Sequence, residues 1–89
     1  MGEQNSFDEV NRQKCKNETH GMLKCVGGKV KKLRIEGKLS QLDVGFYTFS
    51  EKSFISNLEN GKIKNITLLT LFKLSELFGI KVEDLLKEE

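Results

Sequence analysis

The sequence predicts an all-α domain of five short helices, and three observations predict it. Apolar residues recur at three- and four-residue spacing from residue 29 onward, and no segment alternates apolar and polar residues as a strand would. The chain has no proline, so glycines and capping residues must mark the breaks between elements. With 89 residues, 37% of them apolar and six of them Phe, the chain suffices for one small core. A domain of that size buries only about 60–65% of the surface its unfolded chain exposes, so its stability margin is thin.

Residues 1–25 are polar with scattered apolar residues, Phe7, Val10, Met22 and Leu23. They are expected to form an N-terminal arm, either mobile or with one short helix at about Phe7 to Lys16. Gly27 and Gly28 end it, which leaves residues 26–89 as the folded domain. The first helix is expected over about Lys29 to Glu36, where Val30, Leu33 and the stem of Arg34 share a face, with Gly37 in the place of a C-terminal cap. Ser40 is a suitable N-cap for a second helix, Gln41 to Tyr47, with Val44 and Gly45 turned inward. Gly45 costs about 1 kcal/mol relative to Ala inside a helix, which suits a position where another helix must come close. A third helix follows from Lys52 to Asn60, capped by Ser50 or Glu51, of which Ser50 is chemically the better cap, and closed by Asn60-Gly61. The fourth begins at Thr67, takes most of the core from Leu68, Leu71, Phe72, Leu74 and Phe78, and stops at Gly79. The fifth, "VEDLLKE", buries Val82, Leu85 and Leu86.

Charge is unevenly spread behind a net +2. Residues 29–66 hold eight Lys/Arg against four Asp/Glu, whereas residues 67–89 hold three against five. A basic segment followed by an acidic one fits a domain that turns one side to a polyanion. No apolar run approaches the roughly 20 residues that span a bilayer, and the N-terminus "MGEQNSFDEV" lacks the regions of a secretory signal. Two cysteines are too few for a disulfide scaffold, so a cytoplasmic protein without a membrane anchor is expected.

The third helix has an unusual outer side. Ile55 and Leu58 lie on its inner side, and Lys52, Ser53, Ser56 and Asn57 lie on the other. Small amides and hydroxyls are poor helix formers but hydrogen-bond in both directions. The major groove of DNA admits one helix and presents distinct donor and acceptor patterns at base edges. Asn57 suits bidentate pairing with adenine, Lys52 suits guanine, and Ser53 and Ser56 suit either base or phosphate.

Helices two and three, joined by a short turn, resemble a helix-turn-helix. From Val30 onward the chain resembles the lambda-repressor-like (Cro/phage-repressor, XRE) family. The resemblance is carried in family order by "VKKLR", "LSQ" at Leu39 to Gln41, "SFISNLENGK" and "NITLLTLFKLSELFGIKVEDLL". The wording "KNITLLTLFKLSELF" is also similar to restriction-modification controllers. The resemblance implies a five-helix fold, sequence-specific binding of double-stranded DNA, and a repressor-type transcription regulator. It makes Lys52, Ser53, Ser56 and Asn57 base readers. It places Gln41 on a phosphate, with Asn60, Lys62, Lys64 and Asn65 clamping the DNA backbone after the third helix. It also implies a structural ion pair between Arg34 and Glu59. Members usually dimerise on an inverted repeat, and the contact is expected at helix five and the C-terminal end of helix four.

Five positions depart from the family pattern. The turn has Phe49 where Gly is usual and Ser50 where an apolar residue is usual, and helix two has Thr48 in place of a buried Leu. A local remedy is expected in which Phe49 tucks inward for both missing apolar groups. Phe46 and Tyr47 stand where polar residues are usual, and they pack on the arm or a neighbouring helix, form a partner surface, or touch DNA.

Cys15, His20 and Cys25 have part of a zinc-knuckle spacing, but Arg12 stands where a first Cys belongs, and a structural zinc takes four ligands. No metal or other cofactor is expected. No nucleophile–base pair, phosphate-cradling glycine loop or carboxylate pair supports an enzyme. The rival function is an antitoxin or adaptor whose N-terminal arm binds a partner protein, folding on contact.

Overall fold

The computed structural model describes residues 21–87, and every regular element among them is an α-helix. α1 covers residues 21–36, followed by α2 (Gln41–Tyr47), α3 (Lys52–Glu59), α4 (Leu68–Phe78) and α5 (Val82–Leu86). α2 packs against α3 and α4, and α5 packs against α4.

α1 is longer than the sequence suggests. It is already helical at residue 21 and runs without a break through Gly27 and Gly28, rather than starting at Lys29. The boundary drawn between residues 25 and 26 therefore falls inside a helix. The cause is apolar spacing that continues through the glycines: Leu23, Val26 and Val30 are all buried in the core. The rest of the arm, including the short helix expected near Phe7, lies outside the described residues.

Four helices end in the same way, with a left-handed residue and a pair of tightened hydrogen bonds. After α3 and α4 that residue is glycine, Gly61 (φ 73°) and Gly79 (φ 66°). After α1 it is Lys38 (φ 58°), one position later than the glycine expected there. The Lys38 amide donates to the Ile35 carbonyl and the Leu39 amide to the Arg34 carbonyl, both at 3.0 Å. After α2 it is Phe49 (φ 58°), and the Ser50 amide donates to the Gly45 carbonyl at 2.7 Å. The N-terminus of α2 is capped by Ser40 as expected, and α4 begins at Leu68, one residue after Thr67, which is its cap. Ser40 and Asp43 form a reciprocal capping box, and Thr67 accepts from the Thr70 amide. Hydrogen bonds from the Ser40 backbone and hydroxyl hold the Asp43 carboxyl below its ordinary pKa.

Val26, Val30, Val44, Ile55, Leu58, Leu71, Leu74 and Leu85 form the core, drawn from all five helices. The expectation for α4 needs correction, because Leu68 is 76% exposed and Phe72 51% exposed. α4 turns only Leu71, Leu74 and Ser75 fully inward. Lys29 Nζ donates to the Asp84 carbonyl and ties α1 to α5.

Candidate nucleic-acid interface

The chain enters α3 through a turn folded tightly onto α2. A Cβ on Gly45 would lie 2.7 Å from the Ser50 carbonyl oxygen, closer than real Cβ contacts come, so glycine is required there. Glu51 is the N-cap of α3 and makes no side-chain capping bond. Ser50, the chemically better cap, instead donates its hydroxyl to the Thr48 carbonyl at 3.3 Å. Thr48 is buried, and its hydroxyl donates to the Val44 carbonyl at 2.9 Å. That bond lets a hydroxyl residue fill an apolar position without an unpaired polar atom.

Phe49 does not tuck inward. Its left-handed backbone directs the ring out, where it is 78% exposed. There Lys73 Nζ sits 5.5 Å from the Phe49 ring centroid and 5.8 Å from that of Tyr47. Tyr47 also reaches α4 through its hydroxyl, which donates to Glu76 Oε1 at 3.3 Å. Phe46 is 86% exposed and does not pack on a neighbouring helix among the described residues.

α3 presents two chemically distinct sides. Ile55 and Leu58 are fully buried, and Phe54 packs partly against the core. Lys52, Ser53 and Asn57 are exposed on the opposite side, and Ser56 is half-buried beside them. Ser53 Oγ donates to Glu51 Oε2 at 3.4 Å. Glu51 is thus a member of this surface that the sequence reading passed over as a cap. Its carboxylate suits the amino group of cytosine.

Arg34 and Glu59 hold the far end of α3. Arg34 Nε and Nη2 donate to the two carboxylate oxygens of Glu59 at 2.7 and 3.0 Å, a bidentate pair. The Glu59 side chain is 2% exposed. The hydrogen bond to Glu59 raises the Arg34 pKa above its ordinary value. The third guanidinium nitrogen donates to the Leu39 carbonyl at 3.0 Å. Gln41 Nε2 donates to Glu59 Oε1 at 3.2 Å, so the first turn of α2 joins the same network. One carboxylate therefore fixes α1, α2 and α3 together.

Asn60, Lys62, Lys64 and Asn65 are exposed on the segment between α3 and α4. The Lys62 amide donates to the Asn57 carbonyl at 2.9 Å, which folds this segment back along the end of α3. Exposed amides, hydroxyls and lysines thus run from the start of α3 through its following loop.

An exposed polar helix propped on an apolar underside, with a second helix locked across it, defines a helix-turn-helix DNA-binding domain. Residues 30–85 match the family model described as "Helix-turn-helix", and the chain belongs to that family, in its lambda-repressor-like (XRE) class. It is a sequence-specific DNA-binding regulator. Its fold is similar to the crystal structure of the restriction-modification controller protein C.AhdI from Aeromonas hydrophila. The two share 27% identity with a TM-score of 0.63, over 71% of this chain and 94% of that one. No curated protein matches the sequence. No described helix is long and apolar enough to cross a membrane.

Proposed function

We propose that this protein is a cytoplasmic, repressor-type transcription regulator that binds an inverted repeat in double-stranded DNA as a homodimer, without a cofactor and without catalysis. The observation that carries the reading is the outer side of α3. Lys52, Ser53 and Asn57 are exposed there, while Ile55 and Leu58 behind them are fully buried. α3 lies in the major groove, where Asn57 pairs with adenine and Lys52 with guanine, and Ser53 and Ser56 take base or phosphate. Gln41, Asn60, Lys62, Lys64 and Asn65 hold the DNA backbone, which fixes position without specifying sequence. Similarity to a controller protein supports a regulator of that kind.

Two copies would set their reading helices about 34 Å apart on successive turns of the groove. The large apolar side chains that α4 leaves exposed are Leu68, Leu69 and Phe72, all in its first half. They support a dimer contact there. α5 buries Leu85 and leaves Val82 and Leu86 partly exposed, so it stays available to the same contact.

Affinity for random-sequence duplexes across a salt series, followed by selection from a random duplex library, tests the reading. Log affinity falls linearly against log salt, with a slope of about −0.9 for each phosphate contacted, and the selected fragments share a two-fold symmetric word. Absence of binding at low salt, or salt-insensitive binding with no common word, contradicts it and favours a protein-binding adaptor.

A further inference from the structure

We propose that Lys24 is a further phosphate-contacting residue, delivered to the DNA backbone by the N-terminal half of α1. The inference rests on the reading that α3 and its following loop lie on DNA, and adds a contact from outside the family-matched residues 30–85.

Two close approaches place it. Gly27, buried in α1, sits against the end of the reading helix. A Cβ there would overlap the Leu58 carbonyl oxygen and lie 3.3 Å from Glu59 Cα. One turn earlier in α1, the Lys24 side chain lies along Gly61, the left-handed residue that closes α3. A Cβ on Gly61 would stand 3.3 Å from Lys24 Cγ, 3.6 Å from Cε and 3.8 Å from Cδ. The aliphatic stem is therefore held by packing across the loop that carries Asn60 and Lys62, while the residue as a whole remains exposed. A lysine whose stem packs on backbone and whose ammonium stays in water is suited to take a phosphate at that surface. Leu23 and Val26, flanking Lys24 in α1, are buried and fix this half of the helix to the core.

Lys29 and Lys32 of α1 face elsewhere. Lys32 borders a cleft with Cys25, Gly28, Lys29 and Lys87, on the side of α1 next to α5. Lys29 donates to the Asp84 carbonyl there. Lys32 thus supplies a control of equal charge on the same helix but on another side.

The test uses full-length wild type, Lys24→Ala, Lys24→Arg and Lys32→Ala, each checked for an unchanged thermal midpoint. Affinity for one random-sequence duplex is measured across a salt series. One phosphate contact contributes about 0.9 to the slope and about eightfold to affinity at 0.1 M salt. Lys24→Ala is expected to lose both, Lys24→Arg to retain them, and Lys32→Ala to retain the wild-type slope. If wild type binds with a steep slope and Lys24→Ala matches it, or Lys32→Ala loses as much, the assignment of Lys24 is overturned while the DNA-binding reading stands. If wild type binds no duplex at low salt, both fall.

Discussion

Gly27 and Gly28 are neighbours in the middle of α1 with opposite constraints. Gly27 lies where α1 touches the backbone of α3, and a Cβ there would overlap a carbonyl oxygen, whereas a Cβ on Gly28 meets nothing within 4 Å. Gly27→Ala is therefore expected to destabilise the domain by about 2–3 kcal/mol, as overpacking against rigid backbone does. Gly28→Ala removes only the helix cost of glycine and is expected to stabilise by about 1 kcal/mol. Urea denaturation of the two variants checks this, and shifts of the same sign would contradict the close helix contact. The same pair explains a sequence-level error. Adjacent glycines without side-chain patterning look like a break, and only the α3 backbone pressed against Gly27 shows that one of them is a packing residue.

At the scale of elements, α2, α3 and α5 were legible in the sequence because their signals are local. Ser40 announces the start of α2, Asn60-Gly61 closes α3, and the apolar positions 55 and 58 fix which side of α3 faces in. The turn between α2 and α3 was not legible in this way. Filling the apolar deficit at Thr48 and Ser50 with Phe49 is a volume argument, whereas the structure resolves it by hydrogen bonding. Thr48 back-bonds to Val44, and Phe49 takes the left-handed position that turns its ring outward. α4 misled for another reason. It is apolar on more than one side, so periodicity alone did not separate Leu71 and Leu74, which are buried, from Leu68 and Phe72, which are not. The Arg34–Glu59 pair joins elements 25 residues apart, and family resemblance rather than spacing indicated it. Arg34→Met strands the buried Glu59 carboxylate and is expected to cost about 3–5 kcal/mol. The double variant Arg34→Met/Glu59→Leu recovers part of that loss. Urea midpoints of the two variants check this, and equal losses would mean that the stranded charge is not what destabilises the single variant.

For the whole molecule, the core places one amphipathic helix so that its polar side is free, and the apolar surface left exposed on α4 is where the proposed dimer contact lies. Leu69 is 58% exposed and Phe72 51% exposed on α4. Replacing both with Glu is expected to leave the monomer folded and to shift sedimentation equilibrium to monomer. Binding to a single half-site duplex would persist while the gain from a second half-site is lost. A double variant that stays dimeric would place the contact elsewhere on the molecule. The most direct measurement compares Asn57→Ala with Lys62→Ala on the duplex selected from a random library and on every single-base variant of it. Asn57→Ala is expected to cost about 1–3 kcal/mol on the selected site and to flatten preference at one base position, while Lys62→Ala weakens all duplexes about equally. Identical profiles for the two variants, or an Asn57→Ala protein with every base preference intact, would contradict α3 as the reading helix.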